Sequence, residues 1–157
     1  MQTKYHFHVP EQKKIRMIVH TDCKNEADDQ FAVVHHLLTP KFLVTGIVAG
    51  HFDRSEKMYG SGKTASASLE EVHKLLRLMD AEEIPAFLGA EKPMPDEQTP
   101  VDSAGARFII EEALRDDPHP LFIACQGAVT DLASALLLEP RIAKRLTCVW
   151  IGGGAYP

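Results

Sequence analysis

Four carboxylates lie within eight residues near the start of the chain, at Asp22, Glu26, Asp28 and Asp29. They follow an apolar run that ends at His20, and a helical pattern begins near Asp28. Because like charges repel, crowding carboxylates at the mouth of a buried strand destabilises a fold unless a cation or a hydroxyl-rich ligand neutralises them. The stretch therefore predicts a cation or sugar site. The alternative is an acidic helix start, in which one of these carboxylates simply caps the first turn.

The composition is that of an ordinary globular chain. Its 157 residues suit one domain, with 45% apolar and 25% charged residues. The net charge is -5 and no basic run is present, which argues against a nucleic-acid partner. No apolar stretch is long enough for a membrane span, and the first ten residues have no signal-peptide core. We therefore expect a cytoplasmic chain without a membrane partner. The three cysteines form no C-x-x-C pair, so free thiols are expected.

Short apolar runs alternate with helical patterns along the chain. Five strands are predicted, over 15–19, 42–49, 86–88, 121–125 and 147–151. Four helices are predicted between them: from about Asp28 to a stop at Pro40, around 69–79, over 106–114 and over 129–138. Residues 89–100 carry three prolines and no periodicity, as in a surface loop. Residues 1–12 are interpreted as a polar leader, and 13–157 as part of one α/β domain.

Continuous apolar strands separated by amphipathic helices predict a doubly wound, mostly parallel sheet of the Rossmann-like kind, covered on both faces. Ligands bind such sheets beyond the carboxyl ends of the strands. That rule selects the loops at 21–28, 50–52, 126–128 and 152–154. The three later loops contain glycine, as a close approach of the backbone to a ligand would require, although tight turns also need glycine.

One motif points elsewhere. Gly60-Ser61-Gly62-Lys63-Thr64 ends like a phosphate-binding P-loop. The full pattern requires glycine where Lys57 stands, and it requires a strand directly before the loop. A nucleoside triphosphate site is therefore not predicted.

Five blocks of sequence, in order, carry a specific resemblance. They are Thr21-Asp22 with 25–30 (NEADDQ), 46–50 (GIVAG), 127–133 (GAVTDLA), 139–142 (EPRI) and 150–156 (WIGGGAY). Together they resemble the nucleoside hydrolase (inosine-uridine-preferring) family, of which this chain looks like the N-terminal half. The resemblance implies calcium-dependent hydrolysis of the N-glycosidic bond of a ribonucleoside, giving ribose and free base.

The resemblance also implies roles for individual residues. Asp22 would bind Ca2+ and act as the base that takes a proton from metal-bound water. Asp29 would be a second calcium ligand, and the carbonyl of Gln126 a third. Asp28 would accept hydrogen bonds from the ribose 2′ and 3′ hydroxyls. Calcium takes six to eight oxygen ligands, so such a set with waters and sugar hydroxyls suits it.

The sequence departs from the family pattern in three ways. The loop after Asp22 is two residues longer than usual, which leaves Asn25 and Glu26 as additional candidate contacts. His51 stands where many members have an asparagine that contacts ribose, and Ile151 where many have a methionine near the sugar. The family is also about twice this length, and the groups expected to grip the sugar and protonate the leaving base belong to the other half. Expected partners are thus a nucleoside and either a second copy or the missing C-terminal half. The alternative function is a non-catalytic calcium- or sugar-binding domain.

Overall fold

A computed structural model describes residues 5–52 and 62–152 and contains one parallel sheet of five strands. These are β1 (Ile15–Thr21), β2 (Phe42–Ala49), β3 (Ala86–Leu88), β4 (Leu121–Cys125) and β5 (Leu146–Trp150). The strand order is β3-β2-β1-β4-β5, and every pairing is parallel. The strand that leads into the carboxylate stretch is therefore the central one, hydrogen-bonded on both sides.

Within the described residues, four α-helices connect the strands: α1 (Asp28–Leu38), α2 (Thr64–Leu78), α3 (Ala104–Leu114) and α4 (Thr130–Leu138). Short 3-10 helices at Glu11–Lys13 and Pro140–Lys144 precede β1 and β5. The helix α3 begins at a conventional cap, since Ser103 Oγ accepts a hydrogen bond from the backbone N–H of Ala106 at 2.9 Å. The alternation of strands and helices predicted from the sequence is thus confirmed.

The two faces of the sheet carry separate apolar cores. Ile18 and Ile123 face one side, where they pack with residues of α3 and α4 such as Ile109 and Leu132. Met17, Val19 and Ile47 face the other side and pack with residues of α1 and α2 that include Val33, Val72 and Leu76. The alternation of Ile18 with its two neighbours along β1 is the two-residue period of a strand buried on both faces. The predicted doubly wound α/β fold is confirmed.

The boundaries differ from the prediction in a few places. The strand β1 continues two residues further, to Thr21, and β5 lies one residue earlier than expected. The surface loop predicted at 89–100 begins with buried residues, because Gly89 and Ala90 pack beneath helix α4. Of the P-loop-like motif, residues 60 and 61 lie outside the described residues, as do residues 153 and 154 of the last predicted loop. All three cysteines are free thiols.

After the adjacent strands β1 and β4, the chain turns towards opposite faces of the sheet. After β1 it enters α1 on one face, and after β4 it enters α4 on the other. Such a divergence opens a crevice at the carboxyl edge of a parallel sheet, which is where ligands bind in this architecture. The residues that follow these two strands, Asp22 and Gln126, stand at this point.

A salt-bridge cluster occupies the other end of the sheet. Arg16, near the start of β1, pairs with Glu112 at 2.9 Å and with Asp117 at 3.6 Å. Asp117 also contacts His119 at 2.9 Å. Asp117 and His119 therefore lie at the end opposite to the candidate site, as expected. No helix within the described ranges has the length and apolar content needed to cross a membrane.

Candidate metal and substrate site

Asp22 is the first residue after the central strand, and it is 7% exposed. Its Oδ2 accepts a hydrogen bond of 3.3 Å from Asn25 Nδ2, and its backbone carbonyl accepts one of 3.1 Å from the Asn25 N–H. Burial raises the pKa of Asp22 above its usual value, while hydrogen bonds to the carboxylate from its own backbone N–H and from the Asn25 side chain oppose the rise. The chain thus holds this carboxylate in a turn that supplies neutral donors.

Asp29 lies one residue into helix α1 and is also 7% exposed. Its Oδ1 accepts a hydrogen bond of 2.8 Å from Thr21 Oγ1, at the end of β1. Burial raises the pKa of Asp29 to about 6, and the nearby charges of Asp22, Asp28 and Glu26 act in the same direction. The surroundings of Asp29 therefore disfavour its charged form.

These carboxylates do not serve as helix caps. The residue at the cap position of α1 is Ala27, and no side chain accepts a hydrogen bond there. The alternative interpretation of the stretch as an acidic cap is therefore wrong for Asp29, which points back to β1 instead. No ion pair among the described residues includes Asp22 or Asp29.

The chain contacts the Asp22 side chain directly after the carboxyl end of strand β4. A Cβ built on Gly127 would lie 2.4 Å from both Cγ and Oδ1 of Asp22. The Asp22 carboxylate therefore packs directly against the Gly127 backbone, which follows Gln126 at the end of β4. The Gln126 N–H is used in the sheet, where it donates to the carbonyl of His20 at 2.8 Å.

The side chain of Gln126 is unpaired in the described part of the chain, as is Nδ1 of the neighbouring His20. Both its amide oxygen and its amide nitrogen are buried without a hydrogen-bond partner. Leaving a buried polar group unpaired costs roughly 1–3 kcal/mol. The end of β4 therefore carries polar groups that the described protein atoms do not satisfy, as expected where a water, ion or ligand completes the structure.

A buried histidine–aspartate pair connects the end of β1 to helix α4. His20 Nε2 lies 2.9 Å from Asp131 Oδ2, and both side chains are fully buried. Asp131 also accepts hydrogen bonds from the Ala90 N–H at 2.8 Å and from the Ser103 hydroxyl. Burial alone would raise the pKa of Asp131, but these donors hold it below its usual value. The pair thus ties the end of β1 to α4, to the cap of α3 and to the segment after β3.

The remaining candidates lie around this centre. Asp28 and Glu26 are exposed, whereas Asn25 is half-buried. His51 is buried, with Nε2 2.9 Å from Thr130 Oγ1 at the start of α4. Ile151 is 75% exposed at the end of β5. Asp22 and Asp29 therefore lie near the Gln126–Gly127 backbone. Asp28 is exposed in the first turn of α1.

The donor set suits a hard cation that is completed by other oxygens. No group of three His, Cys, Asp or Glu side chains close enough to hold a metal occurs in the described part of the chain. Two buried carboxylates with no ion-pair partner and a neighbouring carbonyl are nevertheless oxygen ligands of the kind calcium prefers, and calcium accepts waters and hydroxyls for the rest. The raised pKa of Asp29 and the unpaired Gln126 amide both fit such an ion.

Sequence reasoning missed the roles of Gly127, Thr21 and the His20–Asp131 pair. Glycine at the strand exits was expected to admit a ligand. Instead, Gly127 admits the Asp22 carboxylate, and a Cβ on Gly50 would lie 2.6 Å from His20 Cε1. The glycines indicated close approach correctly, but the approaching groups are side chains of the protein itself.

A parallel sheet with carboxylates at its topological switch point defines an α/β protein with a ligand site at the strand ends. The sequence profile described as "Inosine-uridine preferring nucleoside hydrolase" matches residues 17–157. The chain belongs to that family.

Individual relatives agree on the fold and differ in their named substrates. The chain is 24% identical over 155 residues to the pyrimidine-specific ribonucleoside hydrolase RihA of Citrobacter koseri, covering 85% of this chain and 47% of that protein. A structure of a purine-preferring ribonucleoside hydrolase from Gardnerella vaginalis is 17% identical, with a TM-score of 0.68 over 88% of this chain and 49% of the other. An inosine-guanosine nucleoside hydrolase is 24% identical, with a TM-score of 0.61 over 90% and 48%. The chain therefore spans about half the length of the relatives it matches.

Proposed function

We propose that this chain provides the calcium- and ribose-binding half of a nucleoside hydrolase, which cleaves the N-glycosidic bond of a ribonucleoside to give ribose and free base. The observation that carries the proposal is the pair of buried carboxylates, Asp22 and Asp29, without a counter-cation at the end of the central strand. Family membership supports the reaction class. The named substrates of the relatives include both purine and pyrimidine nucleosides, so the proposal is limited to ribonucleosides as a class.

The proposed ligands are Asp22, Asp29 and the carbonyl of Gln126. When bound, calcium would lower the pKa of a coordinated water and so supply a nucleophile near neutral pH. Asp22 is proposed as the general base. Its burial beside the strand end and the hydrogen bond that its Oδ2 accepts from Asn25 support this role. Thr21 holds Asp29 by one oxygen, which leaves the other oxygen for the ion.

The sugar would be held by polar groups at the rim. Asp28, exposed in the first turn of α1, is proposed to accept hydrogen bonds from two ribose hydroxyls. His51, Ile151 and the loop residues Asn25 and Glu26 are proposed as further contacts. Cleavage of a glycosidic bond develops positive charge on the sugar, which carboxylates around the ring stabilise.

Hydrolysis assays with an Asp22→Ala variant test the proposal. We expect ribose release from inosine or uridine in the presence of calcium, and its loss when calcium is chelated. Asp22→Ala should lower the rate by about 10²–10⁴-fold, the range for removal of a general base. Asp116→Ala, which removes an exposed aspartate at the opposite end of the sheet, is the matched control and should retain the rate. Equal release by the wild type and Asp22→Ala would exclude the role of Asp22.

A non-catalytic calcium- or sugar-binding domain is the second candidate. The same two buried carboxylates support it, since binding a cation needs Asp22 and Asp29 but no group that protonates a leaving base. Calcium binding by the wild type without ribose release from any nucleoside, either alone or with calcium in excess, would establish this alternative. Release that depends on Asp22 would exclude it.

We further propose that the chain, on its own, self-associates through β5. This strand pairs only with β4 among the described residues, so its outer edge has unpaired backbone groups. Val149 and Ile151 are 56% and 75% exposed there, and Leu137 and Leu138 of α4 are exposed as well. In a longer chain the remaining half of the fold would occupy this edge.

Light scattering on the purified chain tests this association. We expect a mass above that of the monomer at micromolar concentration, and a shift towards the monomer for Val149→Lys, because a charge on an edge strand opposes strand pairing. Phe31→Lys removes an apolar residue of α1 that is 78% exposed, more than Val149, and should leave the mass unchanged. A monomeric wild type would contradict the proposal.

A further inference from the structure

The loop that joins the two candidate calcium ligands adopts a backbone conformation that needs external support. Lys24 has a φ of 93°, in the region that residues other than glycine rarely adopt. It lies between Asp22, at the end of β1, and Asp29, in the first turn of α1. Such backbone strain persists only when the surrounding structure holds it, and it concentrates at functional sites.

The support comes from helix α2. Lys24 Nζ lies 3.2 Å from Glu71 Oε2, and the Glu71 side chain is 11% exposed. The other oxygen, Glu71 Oε1, lies 3.7 Å from Lys74 Nζ. Burial raises the pKa of Glu71, but the two lysines outweigh burial and leave its pKa below the usual value. Glu71 is thus a charged, largely buried acceptor with a cation at each oxygen.

This arrangement separates Glu71 from the carboxylates of the site. Both oxygens of Glu71 have lysine partners, whereas no ion pair in the described part of the chain reaches Asp22 or Asp29. Glu71 therefore holds the loop through Lys24, and Asp22 and Asp29 are left to a ligand. Since Asp22 and Asp29 repel each other without a cation, a loop that is free to move would separate them.

We propose that Glu71 is a positioning residue, which acts through Lys24 to hold the loop of residues 22–27 in the conformation that binds calcium. The link to calcium rests on the proposed function. The link between helix α2 and the loop does not.

Hydrogen exchange and calcium titration on four variants test the proposal. In calcium-free protein, Glu71→Gln and Lys24→Met should each speed amide exchange at residues 23–27 by about fivefold, the scale of a partly screened ion pair. The double variant should exchange no faster than either single variant, because each single variant already breaks the contact between Lys24 and Glu71. Isothermal titration should show the same variants binding calcium about fivefold more weakly. Glu70→Gln, the exposed neighbour on α2, is the control and should match the wild type in both measurements.

The outcomes distinguish this inference from the function on which it rests. Exchange at 23–27 that is unchanged in Lys24→Met, or effects of Glu71→Gln and Lys24→Met that add in full, would overturn the positioning role. Lys24→Met decides the question even if Glu71→Gln unfolds, because Lys24 is 38% exposed and its loss opens no cavity in the core. A wild type that binds no calcium would contradict the proposed function, while the exchange rates would still show whether the loop is held by helix α2.

Discussion

Asp29→Asn is expected to stabilise the calcium-free fold at pH 7 and to abolish calcium binding. The folded protein raises the pKa of Asp29 to about 6, chiefly by burial, from an ordinary value of 3.8. The folded state therefore binds this proton more tightly than the unfolded state does. The stability that the protonated group contributes is complete below pH 3.8 and is lost as the pH rises through 6. At pH 7 the buried charge destabilises the fold, and asparagine removes that charge.

The expected gain is about 1–2 kcal/mol, which is smaller than the full shift would give because water reaches the rim of the site. Urea unfolding with a chelator present should show the difference between Asp29→Asn and the wild type growing from near zero at pH 4 to its full value at pH 7. Saturating calcium should then stabilise only the wild type. Asp28→Asn alters the exposed neighbour and should change stability little. A variant less stable than the wild type at pH 7 would show that Asp29 is not a strained charge.

Gly127→Ala is expected to damage the site more than any other single added methyl group. The new Cβ would lie 2.4 Å from Asp22 Cγ and Oδ1 and 2.7 Å from Oδ2. Gly127 is not among the glycines with positive φ, so the backbone accepts alanine and the clash alone determines the effect. The Asp22 carboxylate must move, and a displacement of about 1 Å in a catalytic group costs about 10²-fold in rate.

Calcium titration and ribose release should therefore both fall by about 10²-fold in Gly127→Ala. The matched control is the same change in an Asp22→Ala background. Once the carboxylate is gone, the added methyl group meets no side-chain atom of residue 22 beyond Cβ, and thermal unfolding should show little further loss of stability. If Gly127→Ala were equally destabilising with and without Asp22, the contact between the carboxylate and the strand end would not explain it.

The sequence predicted the strands and helices well because their signals are local. Continuous apolar runs, proline stops and the period of helix α2 depend on neighbouring residues alone, and three of the five strands match the predicted bounds to the residue. The extension of β1 to Thr21 was missed because two polar residues, His20 and Thr21, occupy its end. Both are fully buried, and each forms a hydrogen bond with a carboxylate from another part of the chain. No local pattern reveals such partners.

The site was predictable only in part for the same reason. The crowded carboxylates pointed to Asp22 and Asp29, and the rule for parallel sheets placed the Gln126 loop beside them. The strand order brings β4 next to β1, and that order is a property of non-local pairing. Asp131 lies in the first turn of α4, where acidic residues are common, so its type and position do not single it out. Only the packed structure shows that it is fully buried and bonded to His20.

The position of β1 between β2 and β4 also bears on how the molecule folds. His20 and Asp131 are 111 positions apart in sequence, and Arg16 and Glu112 are 96 apart, yet both pairs close on the central strand. Domains dominated by such distant pairings fold slowly, because the entropy of closing long loops is lost before the contacts form. During synthesis, β1 leaves the ribosome well before its β4 partner exists. The aspartate stretch is therefore made before its β4 neighbours and can reach its final geometry only after β4 has paired with β1.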